Sequence, residues 1–194
     1  MSVLCGLVLT GGKSQRMGSP KEFFSYHGIA ESERMYRLLE ALSQGGAYYS
    51  LRSDQVSLPA YRGARQIIDS HDGWGPLASL VDAFNHVKNS SWLVVPVDMP
   101  FLEGGDLQRL LDARIEGRDI IAFVGETGAI APMPAIYEHS AARAARELIA
   151  QGRRAIKALG KNTETFTLKP ENAERLRNIN TPGESKRAIE SLHV

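Results

Sequence analysis

Cysteine occurs once in the 194 residues, as Cys5, which excludes a disulfide framework and a thiolate zinc cluster and fits a reducing compartment. An excess of charge of one sign is also lacking: Lys plus Arg number 23 against 22 Asp plus Glu, for a formal net charge of +1. So weak an overall field gives no ground for nucleic acid or an anionic membrane as a partner, and any anion site must be local. Apolar runs long enough to cross a bilayer are missing, and the opening MSVLCGLVLTGG has no basic stretch and breaks at two glycines. These shortages lead to the expectation of a cytoplasmic protein. There are no internal repeats and no low-complexity tracts.

What is present is enough apolar residue, 43% against 23% charged, for one domain over residues 1–194 that buries its own core. Strand-length apolar runs fall at 3–9, 47–51, 66–68, 92–97, 119–124, 133–137 and 165–168. Between and after them, residues 32–43, 77–88, 106–116, 140–151 and 181–192 carry apolar side chains three and four apart, as helices do. Ser32 reads as the N-cap of the first helix and Gly45-Gly46 as its stop. Strands alternating with helices predict a three-layer α/β fold around a mainly parallel sheet. Such sheets bind ligands beyond the carboxyl ends of their strands, which directs attention to the loops found there.

The first loop, Leu9-Thr10-Gly11-Gly12-Lys13-Ser14-Gln15-Arg16-Met17-Gly18-Ser19-Pro20-Lys21, concentrates glycine, hydroxyls and three cations. Glycines let backbone N–H groups approach an anion, and Lys or Arg neutralises phosphate oxygens. A P-loop is excluded because the glycine required five residues before Gly12 is replaced by Leu7, and no G-x-G-x-x-G is present.

Three further segments stand out. Trp92 to Leu102 is an apolar strand that ends in Asp98 and a proline turn, which places a hard oxygen donor where Mg2+ would take one or two carboxylates beside phosphate oxygens. Ile67-Ile68-Asp69 ends a short strand before Gly75-Pro76-Leu77-Ala78-Ser79, with Pro76 fit for a helix start. Finally, Asn178-Ile179-Asn180-Thr181-Pro182-Gly183-Glu184 reads as an extended stretch followed by Thr181 as N-cap, Pro182 at the first helical position and Glu184 closing a capping box. Residues 31–65 carry no such signal and are expected to contribute only fold.

Leu-x-Gly-Gly-x-x-x-Arg-Met-Gly with a lysine shortly after, Gly-Pro-Leu-Ala, Asp-x-Pro-Phe and Asn-x-Asn-Thr-Pro stand in this order along nearly the whole chain. Together they resemble the molybdenum cofactor guanylyltransferase family of the nucleotidyltransferase superfamily. The resemblance implies a Rossmann-like sheet of the nucleotide-diphospho-sugar transferase type. It also implies GMP transfer from GTP to the terminal phosphate of molybdopterin, with release of pyrophosphate. Leu9, Gly11 and Gly12 would lie against the nucleotide, Arg16 on its outer phosphates and Lys21 near the α-phosphate. Asp69 would read the base or ribose beside Gly75, Pro76 and Leu77. Asp98 would hold Mg2+, and Asn178 and Asn180 would face the acceptor. Arg16, Lys21 and Asp98 are thereby the expected catalytic set. A carboxylate at Asp69 suits the N1–H and amino group of guanine; Arg153, Arg154 and Lys157 read first as a solvated helix face, with attraction of the pterin phosphate as the second reading. GTP and the pterin cofactor are the expected substrates, with contact to other cofactor-biosynthesis proteins.

The chain departs from the family's pattern at Thr10 (usually alanine), Ser19-Pro20 (usually an acidic residue before the lysine), Ser79 (usually glycine) and Gly183-Glu184 (usually Glu-Asp). Other readings on the same fold are a cytidylyltransferase, a sugar-phosphate nucleotidyltransferase, or a protein that binds nucleotide without turnover.

Overall fold

The computed structural model describes residues 2–10, 23–71, 73–125 and 128–192. A seven-stranded sheet is built from β1 (Val3–Leu9), β2 (Ala47–Leu51), β3 (Gln66–Ile68), β4 (Ser90–Pro96), β5 (Ile120–Val124), β6 (Ile130–Tyr137) and β7 (Thr165–Leu168). The order across the sheet is β3-β2-β1-β4-β6-β5-β7. The pairs β1–β2, β2–β3, β1–β4 and β5–β7 are parallel, whereas β6 is antiparallel to both β4 and β5. Six strands therefore share one direction and β6 alone is reversed, so the expected mainly parallel sheet is present as a mixed one.

Strict alternation along the strands feeds two cores. Cys5, Leu7 and Leu9 of β1 and Trp92 and Val94 of β4 face helices α2 (Pro76–His86) and α4 (Ala141–Ala150). Leu4 and Val8 of β1 and Leu93 and Val95 of β4 face α1 (Glu31–Leu42) and α3 (Gly104–Asp112). Each fully buried Leu, Val or Phe contributes about 1.5–3 kcal/mol, which is why the sheet's two faces, and not its polar edges, set the architecture. Gly6 lets α1 lie close on β1: a Cβ there would stand 2.6 Å from Leu39 Cβ. The last helix, α5 (Pro182–Leu192), covers a smaller apolar cluster of Tyr26, Ile179 and Ala188. Among the described residues no helix is long and apolar enough to cross a membrane.

Two local expectations are corrected. Ala30, not Ser32, is the N-cap of α1, and no side chain caps it; the Glu31 N–H is satisfied by the Phe24 carbonyl at 2.9 Å instead, so Ser32 is free to be buried. α1 also ends at Leu42, before the glycines, and Gly45 and Gly46 form the turn into β2, bonded to Leu4 and Ser43 carbonyls. By contrast the start of α5 is as expected: the Thr181 hydroxyl accepts from the Glu184 N–H at 3.3 Å and the Glu184 carboxylate accepts from the Thr181 N–H at 2.9 Å.

Candidate functional site

The strand order reverses direction between β1 and β4: after β1 the chain steps outward to β2 and β3, then crosses back to β4 on the other side. In open α/β sheets the crevice at such a switch point is where ligands bind, outside the carboxyl ends of the strands. Leu9 ends β1 opposite Pro96 of β4 in register, two residues before Asp98. Gly11, Gly12, Arg16 and Lys21 follow Leu9 but lie outside the described residues.

The remaining site residues are held at this edge by named contacts. Asp69 follows β3 directly, its N–H bonded to the Leu51 carbonyl of β2 at 2.8 Å. Its Oδ1 accepts the Ser50 hydroxyl at 2.6 Å and the Ser79 hydroxyl at 3.0 Å. Both serines are buried. Thr10 joins the same network from β1, donating its hydroxyl to the Ser50 carbonyl at 2.7 Å. A polar line thus runs Thr10, Ser50, Asp69, Ser79 across three strands into α2. Ser79, the residue found where the resembled pattern has glycine, supplies one of its links.

Gly75 caps α2 with φ 77° and ψ −172°, a conformation L side chains rarely adopt, and Pro76 opens the helix with its fixed φ. Leu77 is buried in the core, so it anchors the helix start from below. Beside this turn the Arg154 guanidinium lies over the Trp74 ring at 4.9 Å, and His71 packs on the same ring at 4.8 Å.

Asp98 is partly exposed at the end of β4. Its backbone carbonyl accepts the Ile179 N–H at 2.8 Å, which brings the segment carrying Asn178 and Asn180, both exposed, against the Asp98 turn. Tyr26 is buried close by. Burial pushes its phenol up from the ordinary value, the Ser185 hydrogen bond opposes this, and the carboxylates of Glu31, Asp98 and Glu184 add to the rise. A cavity of about 380 Å3 opens between the β5–β6 turn and residues 170–177, lined among others by Val124, Gly125, Ala131 and Arg177. The Arg177 guanidinium lies over Phe101 at 4.9 Å, a second link from the chain just before Asn178 to the Asp98 turn.

Residues 31–65 supply two side chains that reach these candidate positions. Ser50 lies among them, and so does Arg34, whose guanidinium binds the carbonyls of Met99, Pro100 and Leu102. The signal for Ser50 was one serine at the end of an otherwise apolar interior strand; for Arg34 it was a charged residue beside the apolar stripe of α1.

This arrangement defines an α/β domain of the nucleotidyltransferase fold. The model of the MobA-like NTP transferase domain matches residues 6–165. A protein of Xanthomonas euvesicatoria, "Molybdenum cofactor guanylyltransferase", is 39% identical over 107 residues, 55% of this chain and 52% of that protein; the chain thus spans about half the length of that relative. A protein of Opitutus terrae, "Probable molybdenum cofactor guanylyltransferase", is 31% identical over 161 residues, 80% of this chain and 76% of that protein. The crystal structure of molybdopterin-guanine dinucleotide biosynthesis protein A from Archaeoglobus fulgidus superposes with a TM-score of 0.78 at 25% identity, covering 96% of this chain and 97% of that one. The chain belongs to the MobA-like NTP transferase domain family.

Proposed function

We propose that this protein transfers GMP from GTP to the terminal phosphate of a pterin cofactor, molybdopterin, with release of pyrophosphate. The observation that carries the reading is the Ile179 N–H to Asp98 carbonyl bond, which ties the expected acceptor segment to the expected metal turn at the sheet's switch point. An acceptor phosphate beside Asn178 and Asn180 and a triphosphate at the end of β1 would then meet over Asp98. A phosphate oxygen of the acceptor attacks the α-phosphorus; the new O–P bond forms as the bond to the β-phosphate oxygen breaks, and pyrophosphate leaves with that electron pair. The nucleophile is already anionic, so no general base is needed, and the rate comes from alignment and charge neutralisation. Arg16 and Lys21 supply positive charge to the phosphates.

A divalent metal, Mg2+ in this reading, suits the donor present. Asp98 is a single hard oxygen at a strand end, and Mg2+ is held by one or two carboxylates with phosphate oxygens and water completing its shell. When bound it neutralises charge on the triphosphate and on the departing pyrophosphate. Asp69, with one oxygen fixed by two serine hydroxyls, presents an acceptor to the base, and guanine offers N1–H and an amino group to it.

The test is a binding panel of GTP, CTP, ATP and UTP with Mg2+ by thermal shift, followed by pyrophosphate release with acceptor present. The expected result is the largest shift with GTP, and pyrophosphate formed only with acceptor. A clear preference for CTP would replace guanylyl by cytidylyl transfer, and binding without pyrophosphate release would remove the enzymatic reading.

A further inference from the structure

The geometry points to Arg34 as a positioning residue for the turn that carries Asp98, a role that rests on Asp98 being the metal ligand. Residues 99–102 leave β4 through a proline turn, and Met99, Pro100 and Leu102 are buried there. Buried carbonyls outside a ladder need donors from elsewhere. Arg34, on the first turn of α1, supplies them. Its Nη1 donates to the Leu102 carbonyl at 2.8 Å, and its Nη2 stands 3.2 Å from the Met99 carbonyl and 3.3 Å from that of Pro100. The same guanidinium is fixed from behind by the Glu31 carboxylate, which accepts from Nε at 3.0 Å and from Nη2 at 2.8 Å. The Glu31 side chain is fully buried and that of Arg34 is 14% exposed. His27 adds one more contact, its Nε2 lying 2.8 Å from the Pro100 carbonyl.

Only a guanidinium can do this. Its planar fork directs N–H groups at a carboxylate on one side and at carbonyls on the other, whereas a lysine ammonium is a point donor at the end of a flexible stem. The Glu31 partner cancels the charge of Arg34, so the pair acts on shape and adds no field of its own. With β4 on the N-terminal side, Ile179 on the Asp98 carbonyl and Arg34 on the three carbonyls that follow, the backbone around Asp98 is held on every side. Groups that orient a metal ligand without touching the metal are typically worth about 10–100-fold in metal affinity or activity. Arg34 acts through backbone, so about tenfold is expected.

The experiment uses Mn2+ as the probe, with its binding to the protein and GTP followed by electron paramagnetic resonance and kcat measured across a Mn2+ titration. Asp98→Asn, Arg34→Lys, His27→Ala and, as control, Arg37→Lys one turn further along α1 are compared, with circular dichroism for fold. The expected result is loss of specific Mn2+ binding in Asp98→Asn, about tenfold weaker binding in Arg34→Lys with kcat restored at higher Mn2+, and a smaller weakening in His27→Ala. Arg37→Lys, on an exposed ion pair, should match the parent. Rescue of kcat by added metal separates positioning from general damage to the fold. Folded Arg34→Lys that binds Mn2+ as tightly as the parent overturns the assignment of Arg34. Parent-like binding in Asp98→Asn overturns instead the reading of Asp98. If Arg34→Lys does not fold, His27→Ala decides, since it removes one contact from a side chain already 33% exposed; unchanged affinity there overturns the proposal.

Discussion

Replacing Ser50 and Ser79 by alanine should erode the preference for GTP over ATP, with a measurable cost to stability. Each hydroxyl donates to the same oxygen of Asp69, at 2.6 and 3.0 Å. A hydrogen bond to a charged acceptor is worth about 1.5–3 kcal/mol, and Asp69 is partly exposed, so water replaces part of what is lost and the lower end applies. About 1.4 kcal/mol is a factor of ten in affinity. Each single variant should therefore weaken GTP by roughly tenfold or less, and the double variant by more, up to roughly a hundredfold, while ATP, whose one amino group cannot match the paired N1–H and amino donors of guanine, changes less. Stability falls as well, because both hydroxyls bond Asp69 in the free protein; in Ser79→Ala part of the loss is offset, since Ser79 lies inside α2, where alanine is favoured over serine by about 0.5 kcal/mol. The assay is isothermal titration of GTP and ATP, with the melting temperature of each variant recorded. An unchanged GTP to ATP ratio in the double variant, alongside a changed ratio in Asp69→Asn, would refute the orienting role of the serines. An unchanged ratio in Asp69→Asn would remove Asp69 from base reading altogether.

Asp98→Ala should abolish pyrophosphate release while leaving circular dichroism and melting temperature near the parent; near-normal turnover in metal-containing buffer would contradict the metal assignment. Gly6→Ala should cost about 1–3 kcal/mol in urea unfolding, and Leu39→Ala in the same chain should not rescue it, because the clash at 2.6 Å is with Leu39 Cβ, which alanine keeps. Thr181→Ala should lower stability by about 1 kcal/mol, read as a shift of the denaturation midpoint. The Glu184 carboxyl is held below its ordinary value of 4.5, chiefly by the Asn180 N–H and then by the Thr181 hydroxyl. A depressed carboxyl contributes stability above its unfolded pKa that is lost as pH falls through the folded one. Glu184→Gln should therefore flatten the acid side of the stability profile below about pH 4.5 and leave the neutral side with only a small offset.

All seven strands were legible as apolar runs, and β1, β2, β3 and β7 were legible to the residue, the interior β1 and β2 because burial on two faces leaves little choice of residue. The reversal of β6 was not, since hydrophobic pattern carries no direction. A signal did exist in the spacing: the runs at 119–124 and 133–137 are too close for a parallel crossover, which takes a dozen or more residues. The structure resolves the conflict with a turn in which the Gly125 N–H bonds the Ala129 carbonyl and Gly128 adopts φ 77°.

The candidate site divides along the same line. The placement of Asp69 and Asp98 was legible because each follows a strand end, and strand ends in such a sheet have one place to be. Their partners were not, because Ser50 reaches Asp69 across 19 residues and Arg34 reaches the Asp98 turn across as many as 68. Opposite charges three apart on a helix ordinarily read as a solvated pair worth a few tenths of a kcal/mol. Glu31 and Arg34 differ in position: counting back from Met35, Leu38 and Leu42, they fall on or beside the apolar stripe that packs on the sheet. Burying a charged pair there is costly unless its remaining hydrogen bonds are made, and backbone carbonyls in a proline turn are acceptors in need of donors. A charge pair on the inward side of a helix's first turn therefore predicts a nearby irregular segment to be held. In this fold the segment is the one that leads away from Asp98.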